Sequence, residues 1–191
     1  MTVAIIVFDQ FTDIDTFLAW DLYNRVNLRE KDWQVKFLGT EPVHHSVTGV
    51  ELKMDGIIEE ANTADILFFT SGPGTRKLYA NSEYLKRFKL NPEHQIIVSM
   101  CSGSLILAGL GLLNGISATT YPTAFEALEE LGIRVERDSH LVIHGNIATA
   151  AGCLAALDLV EWSLGKMTNN ETASAVLASV QPIGQGQVCI Y

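Results

Sequence analysis

At 191 residues and 48% hydrophobic content, the chain is long enough for one sizeable core and short for two, so a single domain over 1–191 is expected. Its formal net charge of −9 argues against nucleic acid or an anionic membrane as partner, since both repel an acidic protein, and leaves a small-molecule substrate. No run approaches the ~18 apolar residues of a bilayer span, and the N-terminus lacks the basic and apolar regions of a secretory signal. Three cysteines, Cys101, Cys153 and Cys189, fit no disulfide framework, so a cytoplasmic location is expected.

The chain opens with VAIIVF at 3–8, a buried strand, and continues into a helix over 15–28. WQVKFLG at 33–39, DILFFT at 65–70 and IIVSM at 96–100 are further strands. Strands alternate with helices and are continuously apolar rather than alternating, which predicts an α/β fold: a mainly parallel sheet with helices on both faces. Between the second and third strands, HHSVTGVELKM has period-two character and a Thr-Gly turn, predicting a short antiparallel excursion at an edge. An apolar helix follows over 104–113, then a helix in TAFEALEEL. RVERDSHLVIHGNIAT reads as a hairpin-like segment with Asp-Ser and Gly-Asn turns. Residues 148–167 read as a terminal helix with Leu154, Leu157, Val160, Trp162 and Leu164 as buried candidates. The tail QPIGQGQVCIY is compatible with either a loop or an edge strand.

Cys101 lies where the 96–100 strand meets the 104–113 helix, with small Ser99 and Gly103 on either side. In open parallel sheets functional groups collect beyond the carboxyl ends of the strands. A tight strand-to-helix turn there lifts a nucleophile out of the sheet, and the helix N-terminus favours thiolate over thiol. Cys153, in an Ala-rich helix start, reads as a packing residue, and Cys189 lies in an irregular tail. Asp13 and Asp15 follow the first strand; either is a helix N-cap or a carboxylate projecting towards Cys101. The SGPGT turn at 71–75 follows the DILFFT strand, and its N–H groups, with that of Ser102, can form an oxyanion-type pocket. The turn lacks the lysine of a P-loop, so no nucleotide is expected there. Adjacent His44 and His45 point to opposite faces of a strand and read as surface residues; His94, His140 and His144 read as solvated. No metal site and no cofactor are predicted.

FDQFTDIDTFLAWDLY, SGPG, SMCSGSLILAGLGLLNGISATTYP and IATAAGCLAALDL occur in an order that resembles the ThiJ/PfpI superfamily, within the class I glutamine-amidotransferase-like fold. The resemblance implies a flavodoxin-like, doubly wound sheet, a homodimer and a reactive cysteine at the elbow. Ile14-Asp15 and Cys101-Ser102 resemble the isocyanide hydratases, which singles out Asp15 over Asp13. The implied reaction is hydration of an isocyanide to an N-formylamine, with Cys101 as nucleophile, Asp15 shuttling protons, and backbone amides near Gly72 and Ser102 orienting substrate or water. Thr120-Tyr121-Pro122 stands where protease-like branches carry a histidine, so protease activity is not expected, while Tyr121 remains available to hydrogen-bond substrate. Pro73 has no N–H to give the pocket, and Trp20 replaces a proline frequent in the first helix. The alternatives are a cysteine-based redox sensor or stress-response protein of the same superfamily, and an amidase- or glyoxalase-like activity. Transcription regulation is not expected, for want of a basic DNA-binding segment before Tyr191.

Overall fold

The computed structural model describes residues 1–30 and 32–182; the tail reading and Cys189 lie outside these residues apart from 181–182. Its centre is a sheet built from β1 (Thr2–Ile6), β2 (Gln34–Gly39), a short β5 (Gly56–Ile57), β6 (Ile66–Phe69), β7 (Ile96–Met100), β10 (Leu141–His144) and β11 (Ile147–Ala150). The strand order is β10-β11-β7-β6-β1-β2-β5, and every pairing is parallel except β10 with β11. All the residues of β6 and β7 are buried, because both faces of the sheet are covered.

Helix α1 (Asp13–Asn24) carries the chain from β1 to β2 in one direction along the sheet. The short helices α2 (Thr75–Leu78) and α3 (Ser82–Leu85) carry it from β6 to β7 in the other. Right-handed crossovers running in opposite directions place their helices on opposite faces, which makes the fold doubly wound. Helix α4 (Ser104–Gly109) packs with α2 and with α5 (Phe125–Glu130), whereas α6 (Ala156–Met167) packs on α1 and α7 (Asn170–Ala178). Buried Tyr23 of α1 shares a 2.8 Å hydrogen bond with Ser163 of α6 and meets Phe68 edge-on, joining helix pair to sheet. No described helix is long and apolar enough to cross a membrane.

The fold class agrees with the sequence reading, and several local readings need correction. The 43–53 excursion is the antiparallel pair β3 (Val43–His45) and β4 (Glu51–Lys53), separate from the main sheet. It joins β2 to the edge strand β5 and also reaches the loop before α1 through a bridge between Ser46 and Phe11. The 15–28 helix starts at Asp13 and turns 3-10 at Arg25. The 104–113 helix stops at Gly109, and Gly111 follows with φ of +75°, a conformation open to glycine. Only the second half of the 134–149 segment is a hairpin; β9 (Arg134–Val135) instead pairs in parallel with β8 (Ser117–Ala118). The 148–167 helix is corrected most heavily: Ala148–Ala150 belong to β11, and the helix proper begins at Ala156. Leu154, expected to be buried, is therefore 70% exposed. His44, expected at the surface, is buried, with Nδ1 3.1 Å from Asp9 and Nε2 accepting the Thr40 N–H at 3.2 Å.

Candidate active site

The carboxyl ends of β11, β7, β6 and β1, four neighbours in the sheet, each deliver one polar side chain to a single place. Cys101 follows β7, Ser71 lies just beyond β6, Asp15 stands in the first turn of the helix after β1, and Cys153 lies beyond β11. All four line a cavity of about 600 Å³, together with Thr12, Gly72, Pro73, Arg76, Ser102, Tyr121 and Thr123.

The elbow that presents Cys101 is strained. Its φ is +52°, a left-handed conformation that costs a non-glycine residue about 1–2 kcal/mol. The surroundings hold it there: the Cys101 carbonyl accepts hydrogen bonds from Thr120 Oγ1 at 2.8 Å and Ser104 Oγ at 3.1 Å. Gly103 lets the turn lie against β6, since a Cβ there would come within 2.6 Å of the Phe69 and Thr70 carbonyl oxygens. Ser102 is buried and its hydroxyl is bound at both ends to one residue, accepting the Gly72 N–H at 3.2 Å and facing the Gly72 carbonyl at 3.3 Å. The Gly72 N–H is thus directed at a hydroxyl rather than at the sulfur. The backbone N–H of Ser102, one of the anticipated oxyanion-type donors, favours the thiolate of Cys101. Gly72 has φ of +143° and would drive a Cβ into the Gln10 backbone, so glycine is required where the turn crosses the β1 loop.

The structure separates the two aspartates. Asp13 accepts a 2.8 Å hydrogen bond from Thr48 of the β3–β4 excursion, away from the cavity. Asp15 is fully buried; Ser71 Oγ donates to its Oδ2, and its Oδ1 has no formed hydrogen bond among the described residues. Thr12 rather than Asp15 occupies the N-cap position, so the buried carboxylate is not explained by capping. A buried carboxylate oxygen without a donor is costly, and its natural complement is a donor brought into the cavity.

The electrostatics overturn one expectation. The thiol of Cys101 is not activated by its environment: burial, and then the negative charge of Asp15, push its pKa up to about 11. The Ser102 N–H, the Ser71 hydroxyl and the Arg76 guanidinium oppose this without reversing it. A six-residue helix behind the elbow offers little dipole against a dry pocket and a facing carboxylate.

Cys153 is the residue the sequence reading placed wrongly. Strand β11 runs beside β7 with Ala150 paired to Met100, so the chain emerging at Gly152-Cys153 lies next to the elbow. Its thiol lines the same cavity as Asp15. Burial first, then neighbouring Asp15 and the charge of Cys101, push it up to about 12. No local signal marks it: Ala151 and Gly152 separate Cys153 from the strand, whereas Cys101 follows Met100 directly. Ser71 and Arg76 were likewise not singled out. Tyr121, which was, is 45% exposed at the cavity wall. Among the described residues no group of three or more His, Cys, Asp or Glu side chains is disposed to hold a metal ion.

A doubly wound parallel sheet with a cysteine elbow and a facing carboxylate defines a class of cysteine-centred α/β proteins. Residues 1–164 match the model of the DJ-1/PfpI family, and the chain belongs to that family. Among curated relatives it is 25% identical over 177 residues to an isonitrile hydratase of Pseudomonas putida, covering 92% of this chain and 76% of that protein. It is 30% identical over 140 residues to the HTH-type transcriptional regulator CdhR of Pseudomonas aeruginosa, covering 72% of this chain and 41% of that protein. In structure it superposes on Schizosaccharomyces pombe DJ-1 with a TM-score of 0.80 at 20% identity, covering 95% of this chain and 100% of that one.

Proposed function

We propose that the chain is a small-molecule hydratase acting on isocyanides, with Cys101 as nucleophile and Asp15 as proton carrier. The observation that carries this reading is the convergence of a strained, half-buried cysteine and a fully buried carboxylate in one cavity sized for a small ligand. The likeness to an isonitrile hydratase over 92% of the chain supports it. Since the resting thiol is protonated, its proton must leave as the sulfur attacks, which gives Asp15 a defined task. The Cys101 sulfur bonds to the terminal isocyanide carbon while Asp15 takes the thiol proton and returns it to that carbon, yielding a thioimidate. Water then adds to the same carbon; the carbon–sulfur bond breaks, sulfur recovers a proton, and the N-formylamine leaves. Ser71 fixes the carboxylate orientation, the Ser102–Gly72 pairing fixes the elbow, and Tyr121 and Thr123 contact the substituent on nitrogen.

Hydration of para-nitrophenyl isocyanide tests this. Turnover is expected from the intact chain and lost in Cys101→Ala and Asp15→Ala; turnover persisting in Cys101→Ala would refute the mechanism. We further read the protein as a homodimer. Ile14, Val47 and Val50 lie exposed around the junction of α1 with the β3–β4 excursion, an apolar surface a second copy can cover. Sedimentation at a monomer's mass would exclude it.

A further inference from the structure

Two thiols open into one cavity, and the proposed hydration uses only one of them. Their proximity follows from the sheet. Met100 and Ala150 are register partners on parallel neighbours, and paired strands lie about 4.8 Å apart. Cys101 is the next residue after Met100, and Gly152, with φ of +87°, turns the other chain as it leaves β11 and sets Cys153 at the cavity wall. The two residues leave neighbouring strands into the same cavity, and a disulfide between them requires a Cα spacing of about 4.4–6.8 Å. Both cysteines are half-buried, so a small oxidant reaches them while a macromolecular thiol is hindered.

We propose that Cys153 is a resolving thiol for Cys101, so that a hydroperoxide converts the pair to an intramolecular disulfide. The Cys101 sulfur attacks the distal peroxide oxygen and the oxygen–oxygen bond breaks. The remaining oxygen leaves with the thiol proton as alcohol or water, and Cys101 becomes a sulfenic acid, oxidised by the two electrons the peroxide gains. The Cys153 sulfur then bonds to Cys101 as the sulfenic sulfur–oxygen bond breaks, and the hydroxyl leaves with the Cys153 proton as water. Asp15, which lines the same cavity, is placed to relay the Cys153 proton to the leaving hydroxyl. The proposal rests on the reading of Cys101 as the nucleophile and goes beyond it. Oxidation at this site ends in a bond that a small dithiol can reverse, rather than in an irreversible sulfinic acid.

The test uses the full chain carrying Cys189→Ala, treated with hydrogen peroxide, quenched with N-ethylmaleimide and mapped by peptide mass spectrometry. The expected product is a linked pair of peptides holding Cys101 and Cys153, lighter by two hydrogen atoms and separated by dithiothreitol. With Cys153→Ser added, Cys101 should instead advance to sulfinic acid that dithiothreitol does not reverse. A chain with Cys153 intact that forms sulfinic acid as fast as this variant, with no linked peptides, overturns the proposal. If Cys101 then still turns over isocyanide, the hydratase reading survives alone. Linkage without isocyanide turnover upholds the disulfide and sinks the hydratase, and a Cys101 inert to both peroxide and iodoacetamide refutes the two together.

Discussion

Replacing Asp15 by Asn separates two effects that the carboxylate exerts on Cys101. The substitution keeps the side-chain volume and an oxygen for the Ser71 hydroxyl but removes the charge. The thiol is raised from 9.0 to about 11, burial coming first and the Asp15 charge second. Asp15→Asn would leave the burial and abolish the charge, which raises the thiolate fraction at pH 8. Iodoacetamide capture of Cys101, followed by peptide mass spectrometry across about pH 7 to 10, reads this directly. In the unsubstituted chain the rate should climb about tenfold per pH unit with no plateau over that range, because the thiol titrates above it. In Asp15→Asn the whole curve should move to lower pH, with faster capture at pH 8. Isocyanide hydration should nonetheless vanish, because the group that carries the proton is gone. A plateau below about pH 8 in the unsubstituted chain, or an Asp15→Asn curve that stays put or moves to higher pH, would refute the electrostatic account.

Gly103→Ala forces a methyl within 2.6 Å of the Phe69 and Thr70 carbonyls, so unfolding in urea should move to lower midpoint by about 1–3 kcal/mol of stability. The two raised thiols also fix the sign of the alkaline response. Both folded-state values exceed the 9.0 of a free thiol, so their contribution is complete below about pH 9 and is lost as pH rises through about 11 and about 12. Urea midpoints should therefore fall between about pH 8 and 10.5, and the fall should flatten when Cys101 and Cys153 are both replaced by Ser.

The main sheet was legible where burial on both faces leaves an uninterrupted apolar run, as in Ile66–Phe69 and Ile96–Met100. It was less legible where strands are made of small residues. Ile147–Thr149 was read as the end of the hairpin-like segment, but alanine's helix propensity also drew Ala148–Ala150 into the helix that follows. The helix after Cys101 was overextended for a related reason. Leu110, Leu112 and Leu113 keep the apolar character of α4, but Gly111 takes a left-handed backbone that ends it.

The misplaced start of the following helix had a chemical consequence larger than the few residues involved. Read as a helix start, 148–153 leaves Cys153 among alanines with nothing to react with; read as the strand beside β7, it delivers Cys153 to the cavity of Cys101. A sequence displays residues in series, whereas a doubly wound sheet sorts its strands in the order β11-β7-β6-β1 and gathers whatever follows each carboxyl end. Cys101 and Asp15 could be singled out because each has a local signature, an elbow with small flanks and an acidic first turn. Cys153 and Ser71 have none, and their place depends on which strands are neighbours. The pKa expectation failed for the same reason. The helix behind Cys101 is visible along the chain, but the burial and the facing carboxylate that outweigh it come from strands far away in sequence.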